Sequence, residues 1–281
     1  MKTYLDCFPC FVNQALRAGR LATTNKKKIK KLLDEVGMML KDIPLENTPP
    51  ETGALIYKKI RKITGNPDPF KKIKHIYTEK ALSLYPLLKE KVKNSTDSLL
   101  TAIRFAIAGN IIDFGVNQHI DLEKEINSVI KKDFAIFHYQ EFKEHLKRSK
   151  SILYIGDNAG ETVFDRILIE ELKKTVIFVV RDIPVINDAT YSDAVQAQIN
   201  EIAKIIPAGS GAPGLILNKC SNKFIKIFNN ADMIISKGQG NYEGLSDEKK
   251  TIFFLLKVKC PVIARNIGVD VGDIILKGIS I

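Results

Sequence analysis

The sequence predicts an α/β protein in which a helical N-terminal half precedes a mainly parallel β-sheet flanked by helices. From residue 10 to about residue 146, apolar residues mostly recur at three- and four-residue intervals, the spacing of amphipathic helices. From residue 152 onward, short β-branched runs alternate with helical stretches, which is typical of parallel strands joined by crossover helices. A chain of 281 residues, 45% of them hydrophobic, is long enough to bury a sizeable core in one or two domains.

The helical half divides into roughly six predicted helices at sites rich in proline and glycine. These breaks lie at residues 43–44, 48–50, 65–69 and 109–117. The lysine-rich run at residues 26–31 leads into apolar residues with helical spacing, so we interpret it as the solvated face of an amphipathic helix. The basic stretch of residues 143–150 marks a predicted boundary between a helical region, residues 1–147, and an α/β domain, residues 148–281.

Five runs in the second half are predicted to be strands: residues 152–155, 176–180, 204–206, 233–235 and 262–264. The first run breaks at Gly156 into Asp157 and Asn158 and then resumes with helical spacing, the pattern of a strand, a tight turn and a helix start. In open α/β sheets, ligands collect at the carboxyl ends of the parallel strands. Helix N-termini there attract anions, whereas Asp157 would repel one, so the turn favours a metal ion together with a phosphate.

The loops after the next strands add polar side chains to the same edge of the sheet. Asp188 follows the second strand, where capping of the next helix is the simpler interpretation. We predict that Ser210, in the glycine-rich loop of residues 207–214, contacts the substrate, although such a loop suits either an anion or a flexible turn. Lys237 and Asn241 follow the fourth strand. Carboxylate and amide oxygens are hard ligands for Mg²⁺ or Mn²⁺, and all four histidines lie in the helical half, which argues against zinc.

This set of side chains is typical of metal-assisted phosphoryl transfer, in which a metal-activated water attacks phosphorus while cations and N–H groups stabilise the charge. Non-catalytic binding of phosphorylated metabolites or nucleotides is the alternative. A Gly-x-Gly-x-x-Gly motif does occur at residues 209–214, but it follows the third strand and contains Pro213. No P-loop motif follows the first strand, so both nucleotide-binding motifs are disfavoured.

The composition limits the classes of partner. A formal net charge of +11 suits nucleic acid or anionic metabolites. The excess is mostly lysine spread along the chain, and no helix-turn-helix, RNA-recognition or zinc-finger pattern occurs, so nucleic acid is disfavoured. No apolar stretch approaches the roughly 20 residues of a membrane span, and the N-terminus lacks the apolar core of a signal peptide. We therefore expect a cytoplasmic protein with no membrane partner, and the sequence leaves its oligomeric state open.

Five motifs spread over nearly the whole chain resemble the damage-control phosphatase family, long catalogued as domain of unknown function 89. They are Cys-Phe-Pro-Cys (residues 7–10), Ala-Gly-Asn-Ile-Ile-Asp-Phe-Gly (108–115), Gly-Asp-Asn-Ala-Gly-Glu (156–161), Pro-Val-Ile-Asn-Asp-Ala-Thr (184–190) and Ser-Lys-Gly-Gln-Gly-Asn-Tyr-Glu (236–243). The cysteine pair resembles the microbial subfamily with an N-terminal Cys-x-x-Cys. The resemblance implies a helical region packed on a Rossmann-like domain. It also implies a phosphatase that depends on Mn²⁺, Co²⁺, Ni²⁺ or Mg²⁺ and hydrolyses sugar phosphates or damaged phosphorylated metabolites.

The resemblance also implies roles for individual residues. Asp157, Asn158 and Asp188 match the family's metal ligands. Lys237 matches the lysine that holds the substrate phosphate, and Asn241 would lie beside it and contact the substrate.

Several further residues would complete the site by the same resemblance. Asn110 and Asp113 would bring the helical half to the substrate. Glu161 would orient the attacking water or bind a sugar hydroxyl, although the dipole of a helix N-terminus also favours a plain glutamate there. Arg181 and Asp193 are outer positions for which ordinary surface salt bridges are the simpler interpretation.

A different phosphatase chemistry would use Asp157 as a nucleophile, as haloacid-dehalogenase-type enzymes use the aspartate after their first strand. Those enzymes need a second aspartate two positions later as acid and base, and here that position is Ala159. Asp157 is therefore better interpreted as a metal ligand than as a phosphorylated nucleophile.

The cysteines leave three interpretations open. Cys7 and Cys10 have the spacing of a metal-binding pair or of a redox pair, and packed thiols agree with the sequence equally well. A closed zinc site needs four ligands, and Cys220 and Cys260 lack a second paired spacing. A thioredoxin-like role is disfavoured because the pair precedes a helical region.

Overall fold

The computed structural model describes residues 1–109 and 130–281. Five helices lie in the first range: α1 (Cys7–Ala22), α2 (Lys26–Leu40), α3 (Pro49–Thr64), α4 (Lys71–Lys93) and α5 (Ser98–Gly109). The main elements of the second range follow in the order β1 (Phe134–Phe137), α6 (Tyr139–Arg148), β2 (Ser151–Ile155), α7 (Thr162–Leu172), β3 (Thr175–Val180), α8 (Tyr191–Gln196), β4 (Lys204–Pro207), α9 (Asn222–Asn230), β5 (Met233–Lys237), α10 (Gln239–Leu245), β6 (Ile252–Lys257), α11 (Pro261–Ile267) and β7 (Ile274–Ile279).

Helix α3 shows how the sequence sets the helix ends. The Glu51 carboxylate accepts a hydrogen bond from the Thr48 backbone N–H at 2.8 Å, as in a capping box, and two prolines occupy the first turn. The helix ends at Gly65, whose φ of +78° is the left-handed conformation that glycine adopts without steric cost. The breaks predicted at residues 48–50 and 65–69 are thus confirmed as helix boundaries.

Helix α2 confirms the interpretation of the lysine-rich run. Asn25 caps it, and its side chain accepts hydrogen bonds from the backbone N–H groups of residues 27 and 28. Leu32, Val36 and Leu40, spaced four residues apart, are buried, whereas the lysines are mostly exposed. The run is therefore the solvated face of an amphipathic helix.

The described residues form a seven-stranded sheet in the order β1-β7-β6-β5-β2-β3-β4. All neighbouring strands are parallel except β6 and β7. Strands β2 to β6 consequently point in one direction, and their carboxyl ends lie along one edge of the sheet. The mainly parallel sheet is confirmed, as are the strands predicted at residues 152–155, 176–180, 204–206 and 233–235.

The fifth predicted strand, residues 262–264, is wrong. Pro261 stands at the first position of helix α11, where its fixed φ suits a helix, and the β-branched residues after it pack as helix. The strands of this region are β6 and β7. Strand β6 is a continuous apolar run that is buried on both faces, so it has no alternation to distinguish it from a buried helix.

Strand β1 differs from the expected all-helical N-terminal region. This strand of four residues pairs parallel with β7 at one side of the sheet, and its residues alternate between half-buried and exposed. So short a strand carries too little periodicity to stand out between helical segments.

The helical half packs on both faces of the sheet. One apolar cluster joins Phe105 and Leu88 of the helices with Tyr154 and Phe253 of the strands. The other cluster, on the opposite face, includes Ile56 of α3 and residues of α1, α2, β2 and β6. The division into residues 1–147 and 148–281 stays a prediction. No helix in the described part of the chain is long and apolar enough to span a membrane.

Candidate active site

Two glycines make room for the turn after β2. The Gly156 N–H donates to the Val179 carbonyl at 3.1 Å, and a Cβ at Gly156 would lie 2.6 Å from the Phe178 ring. On the other side, a Cβ at Gly238 would lie 1.9 Å from Oδ2 of Asp157. The Asp157 carboxylate therefore occupies its position because residue 238 has no side chain.

The backbone brings the three predicted metal ligands together. Asn158 and Asp188 pair in a single antiparallel bridge, and the Ala189 N–H donates to the Asp157 carbonyl at 2.8 Å. The Asn158 side chain donates from Nδ2 to Oδ2 of Asp157 at 3.1 Å. Because Nδ2 is the donor in this contact, Oδ1 is the atom of the amide that a cation would use.

The electrostatics of this group fit a divalent cation. Burial, followed by the negative charges of Glu161 and Asp188, raises the pKa of Asp157 to about 8. Burial also raises the pKa of Asp188, although the Arg181 guanidinium opposes the shift. A cation would favour the ionised forms of such crowded carboxylates. Within residues 1–109 and 130–281, no three His, Cys, Asp or Glu side chains form a ready metal centre, so the Asn158 amide and water or substrate would complete the coordination.

Arg181 is buried, and the expectation of an ordinary surface salt bridge is wrong. Its Nε atom donates to Oδ2 of Asp188 at 2.7 Å, and its Nη2 atom donates to Oδ1 of Asn241 at 2.8 Å. The side chain is only 1% exposed. Arg181 therefore fixes the orientation of one predicted metal ligand, at the cost of a buried charge that Asp188 compensates.

Lys237 lies in the interior, bonded within the protein. Its ammonium donates to Oδ1 of Asp165 at 2.6 Å, to the Ala106 carbonyl at 2.7 Å and to the Glu161 carboxylate. Burial would lower the pKa of Lys237, but Asp165 and Glu161 raise it by a larger amount. An ammonium has three N–H donors, and all three are used here. Its role as a phosphate ligand stays a prediction, and it would require Lys237 to exchange one of these acceptors.

Glu161 stands between Lys237 and the predicted metal ligands. One carboxylate oxygen accepts from Lys237, and the other accepts from Nδ2 of Asn158 at 3.0 Å. The residue is 1% exposed. In this position, Glu161 orients the Asn158 amide, and its predicted contact with a water or a sugar hydroxyl stays untested.

Asn241 acts as a clamp between loops. Its Nδ2 atom donates to the carbonyls of Gly156 and Lys237, at 3.0 and 2.7 Å, and its Oδ1 atom accepts from the Leu215 N–H at 2.9 Å and from Arg181. With 0% exposure, the side chain holds together the ends of β2 and β5 and the segment after the glycine-rich loop. Its predicted contact with substrate stays a prediction.

Asp193 is buried in a group of ion pairs, so the expectation of a surface salt bridge is wrong for this residue as well. It caps α8 through Thr190, and its Oδ2 atom accepts from Nζ of Lys74 at 2.9 Å. Lys74 also pairs with Asp68 at 2.9 Å. This group fastens α4 to the loop that carries Asp188.

Ser210 lies away from the three predicted metal ligands, in the loop after β4. It is 6% exposed and lines a cavity of about 450 Å³ against α3, and none of the three ligands lines that cavity. Its predicted substrate contact stays a prediction. Asn110 and Asp113, the other predicted substrate contacts, lie outside the described residues.

Lys259 is a basic residue of the site that the sequence interpretation missed. It is exposed, and its positive charge is close enough to Asp157 to oppose the rise in the pKa of that carboxyl group. Its backbone N–H donates to Oε1 of Gln239 at 3.2 Å. Its position two residues after β6, at the same edge of the sheet, would have identified Lys259, but the sequence does not predict that strand.

All four cysteines are free thiols, and the structure relates Cys260 to the N-terminal pair. Burial raises the pKa of Cys7 and of Cys10, and Cys260 lies near enough to contribute to both shifts. Cys260 accepts a hydrogen bond from Nε2 of Gln239 at 3.4 Å. Cys220 instead donates to the Ile216 carbonyl at 3.3 Å. The predicted metal, redox and packing roles of Cys7 and Cys10 stay open.

The family model described as the damage-control phosphatase ARMT1-like domain matches residues 3–275. An uncharacterised protein of Methanocaldococcus jannaschii is 40% identical, with 96% of this chain and 93% of that protein covered. A damage-control phosphatase of Pyrococcus horikoshii is 37% identical, with 98% and 97% covered. A damage-control phosphatase of Archaeoglobus fulgidus is 34% identical, with 99% of each chain covered.

The fold has a close counterpart among solved structures. The crystal structure of a protein of the domain of unknown function 89 family, from Pyrococcus horikoshii, has a TM-score of 0.88 and 35% sequence identity. The similarity covers 98% of each chain. It therefore extends over the helical half as well as the sheet.

Proposed function

This chain belongs to the damage-control phosphatase family, and from that membership we propose that it is a phosphatase that uses a divalent metal ion to hydrolyse small phosphate monoesters. The observation that carries the proposal is the juxtaposition of Asp157, Asn158 and Asp188 at the carboxyl ends of β2 and β3. Two relatives that match nearly the full chain carry the name damage-control phosphatase, which supports the same reaction class.

The metal site that we propose consists of one carboxylate oxygen from Asp157, one from Asp188, and Oδ1 of Asn158. This oxygen-rich donor set suits Mn²⁺, Co²⁺, Ni²⁺ or Mg²⁺. When bound, such an ion supplies Lewis-acid activation of a water ligand and charge for the phosphate oxygens. Arg181 holds Oδ2 of Asp188 and leaves the other carboxylate oxygen for the ion.

The chain's own side chains contribute orientation and charge. Glu161 fixes the Asn158 amide, and Lys237 in turn fixes Glu161. Lys259, an exposed residue after β6 whose charge acts on Asp157, is our candidate for the cation that holds the substrate phosphate, because its ammonium is not enclosed in the interior as that of Lys237 is. Sugar phosphates and damaged phosphorylated metabolites are the substrate class that we propose.

A substrate screen tests the proposal. Phosphate release is measured from p-nitrophenyl phosphate and from a panel of sugar phosphates, with Mn²⁺, Co²⁺, Ni²⁺ or Mg²⁺ present. We expect Asp157→Asn to lower kcat/KM by at least about a hundredfold, because it removes a charged ligand while keeping the shape of the side chain.

The control for this change is Asp34→Asn, which removes the same charge from an exposed ion pair on α2. It should leave the rate unchanged. Full activity of Asp157→Asn would refute the assignment of Asp157. Thermal stabilisation by phosphate esters without phosphate release would instead favour the non-catalytic binding function. Affinity for nucleic acid that persists near physiological salt would favour a nucleic-acid-binding function.

A further inference from the structure

The cavity between α3 and the loop after β4, which we call the α3 cavity, lies on the same edge of the sheet as the candidate active site. It has a volume of about 450 Å³, and the residues that line it include Glu51, Lys58 and Arg61 of α3, together with Ser210 and Lys219. The ends of β2 and β4 are two strand spacings apart, about 10 Å, because β3 lies between them. The α3 cavity is therefore a neighbour of the predicted metal site and a separate space.

The charged side chains of the α3 cavity are mostly cationic. Lys58, Arg61 and Lys219 line it, with Glu51 as the acidic residue among them. Burial lowers the pKa of Arg61, but a guanidinium remains charged at neutral pH. The Glu51 carboxylate already accepts from the Thr48 N–H and sits at the helix N-terminus, which compensates its charge. The cavity therefore has a net attraction for anions.

The glycine-rich wall adds neutral hydrogen-bond donors. Gly209 has a φ of +83°, and a Cβ there would lie 2.5 Å from the Ser221 nitrogen, so the path of this loop requires glycine. Ser210 accepts from the Ala212 N–H at 3.4 Å, which leaves its hydroxyl hydrogen to donate. Within the described ranges, the backbone N–H groups of Ser210 and Gly211 donate to no backbone carbonyl, whereas the Gly209 N–H bonds the Asp182 carboxylate. Donors of this kind, close to cations, are typical of a site for an oxyanion.

We propose that the α3 cavity is a second anion-binding site, which takes the phosphate or carboxylate group of a small metabolite. Lys58, Arg61 and Lys219 supply the charge, and Ser210 and the adjacent backbone supply directed donors. The proposal explains why a loop too rich in glycine for ordinary packing faces a cationic stretch of α3.

The α3 cavity is also connected to the candidate active site through one loop. Arg61 donates from Nη1 to the Pro184 carbonyl at 3.0 Å, and the Ile183 side chain packs where a Cβ of Gly211 would lie. Four residues after Pro184 comes Asp188, a predicted metal ligand. An anion in the cavity is thus either the distal group of a substrate that carries two anionic groups or a separate metabolite.

Binding of inorganic phosphate to metal-free protein, in the presence of EDTA, tests the proposal by calorimetry. We expect Lys58→Gln/Lys219→Gln to raise the Kd roughly tenfold, since two charge-assisted contacts are lost at once. The matched control is Lys62→Gln/Lys223→Gln, which changes the net charge equally at exposed lysines that do not line the cavity. Its Kd should equal that of the unmodified chain.

The proposal is overturned if both double variants weaken phosphate binding equally, or if all three proteins bind phosphate with the same Kd. It is also overturned if no binding is detected at millimolar phosphate. The measurement involves no turnover, so its failure and the failure of the proposed phosphatase function are separate results.

Kinetics with metal-loaded protein then assigns the source of the anion. If the cavity holds the distal group of the substrate, Lys58→Gln/Lys219→Gln raises KM for a sugar bisphosphate and leaves KM for p-nitrophenyl phosphate unchanged. If it holds a separate metabolite, phosphate alters the rate with p-nitrophenyl phosphate noncompetitively, and only when the cavity lysines are present.

Discussion

At the scale of single residues, Tyr57 on α3 combines complete burial with an unused polar group. The side chain is 1% exposed, and its hydroxyl has no hydrogen-bond partner among residues 1–109 and 130–281. Burial, and the nearby charge of Asp188, raise the pKa of Tyr57. Since a buried unpaired hydroxyl costs free energy, we predict that Tyr57→Phe leaves the free energy of unfolding unchanged or raises it by about 1 kcal/mol, as measured by urea denaturation.

The control for Tyr57→Phe is Tyr85→Phe on α4. The Tyr85 hydroxyl donates to Glu170 at 2.6 Å, so its removal should lower the free energy of unfolding by about 1 kcal/mol. A loss at Tyr57→Phe equal to that of the control would show that the Tyr57 hydroxyl has a partner in solution.

Glu243 makes the stability of the folded state depend on pH near neutrality. Burial raises its pKa from 4.5 to about 7, against the effect of the hydrogen bond from Gln239. A raised pKa means that the folded state favours the protonated carboxyl group. The contribution of Glu243 to the free energy of unfolding is therefore complete below pH 4.5 and is lost as the pH rises through 7.

We therefore predict that Glu243→Gln, which stays neutral, is more stable than the unmodified chain at pH 8 by about 3 kcal/mol and nearly equally stable at pH 4.5. Urea denaturation at both pH values measures the difference. A difference that does not change with pH would contradict the assignment.

The sequence identified the residues of the site that belong to compact motifs. Asp157 and Asn158 directly follow a clear strand, and Asp188 follows the next, so their proximity could be predicted from strand direction alone. Arg181 was placed at the surface because a charged residue in a loop is normally solvated, and only its three-dimensional partners explain its burial. Lys237 was expected to face a substrate phosphate, but its ammonium is bonded within the protein. Its acceptors come from elements that are distant in sequence, so the local motif does not reveal them.

At the scale of elements, the turn between β5 and α10 is constrained by the carboxylate next to it. Gly238 has a φ of +79°, and a Cβ would collide with Asp157. We predict that Gly238→Ala both strains the backbone and displaces Asp157, lowering the free energy of unfolding by about 2–4 kcal/mol and weakening Mn²⁺ binding. Urea denaturation and calorimetry measure the two effects.

Gly65→Ala separates backbone strain from the collision. Gly65 has a φ of +78° and no atom within 4 Å of an added Cβ, so it should lose only about 1 kcal/mol and no metal affinity. Equal behaviour of the two variants would mean that the contact between Gly238 and Asp157 does not constrain the site.

A strand can be predicted from this sequence where its local pattern differs from that of a helix. Strands β2, β3, β4 and β5 were predicted because β-branched runs alternate with helical segments. Strand β6 is uniformly buried and β1 is four residues long, so neither has the period that separates a strand from a helix. At residues 262–264, the β-branched composition favours a strand, but Pro261 begins a helix that includes them.

At the scale of the whole molecule, the helical half and the sheet share their cores. Each of the two apolar clusters contains residues of both halves. Lys74 of α4 also pairs with Asp193 of α8 in the interior. A helix that buries its apolar face against the sheet and its neighbouring helices draws most of its stability from that packing.

We therefore predict that the two halves unfold together. Differential scanning calorimetry should show one transition, with helix content and tyrosine fluorescence lost at the same temperature. Two resolved transitions, one for residues 1–147 and one for residues 148–281, would contradict this and would establish the predicted division as two independent domains.

We propose that a divalent metal ion, held by Asp157, Asn158 and Asp188, is required for phosphate release. This requirement is tested by the rate of p-nitrophenyl phosphate hydrolysis as a function of Mn²⁺ concentration, starting from EDTA-treated protein. We predict no rate without metal and a saturable rise with it, and we predict that Asp157→Asn shifts the half-saturating Mn²⁺ concentration upward by at least about tenfold. Full activity in EDTA would show that phosphate release needs no divalent metal ion. The same half-saturating concentration in both proteins would show that Asp157 is not a ligand of the ion.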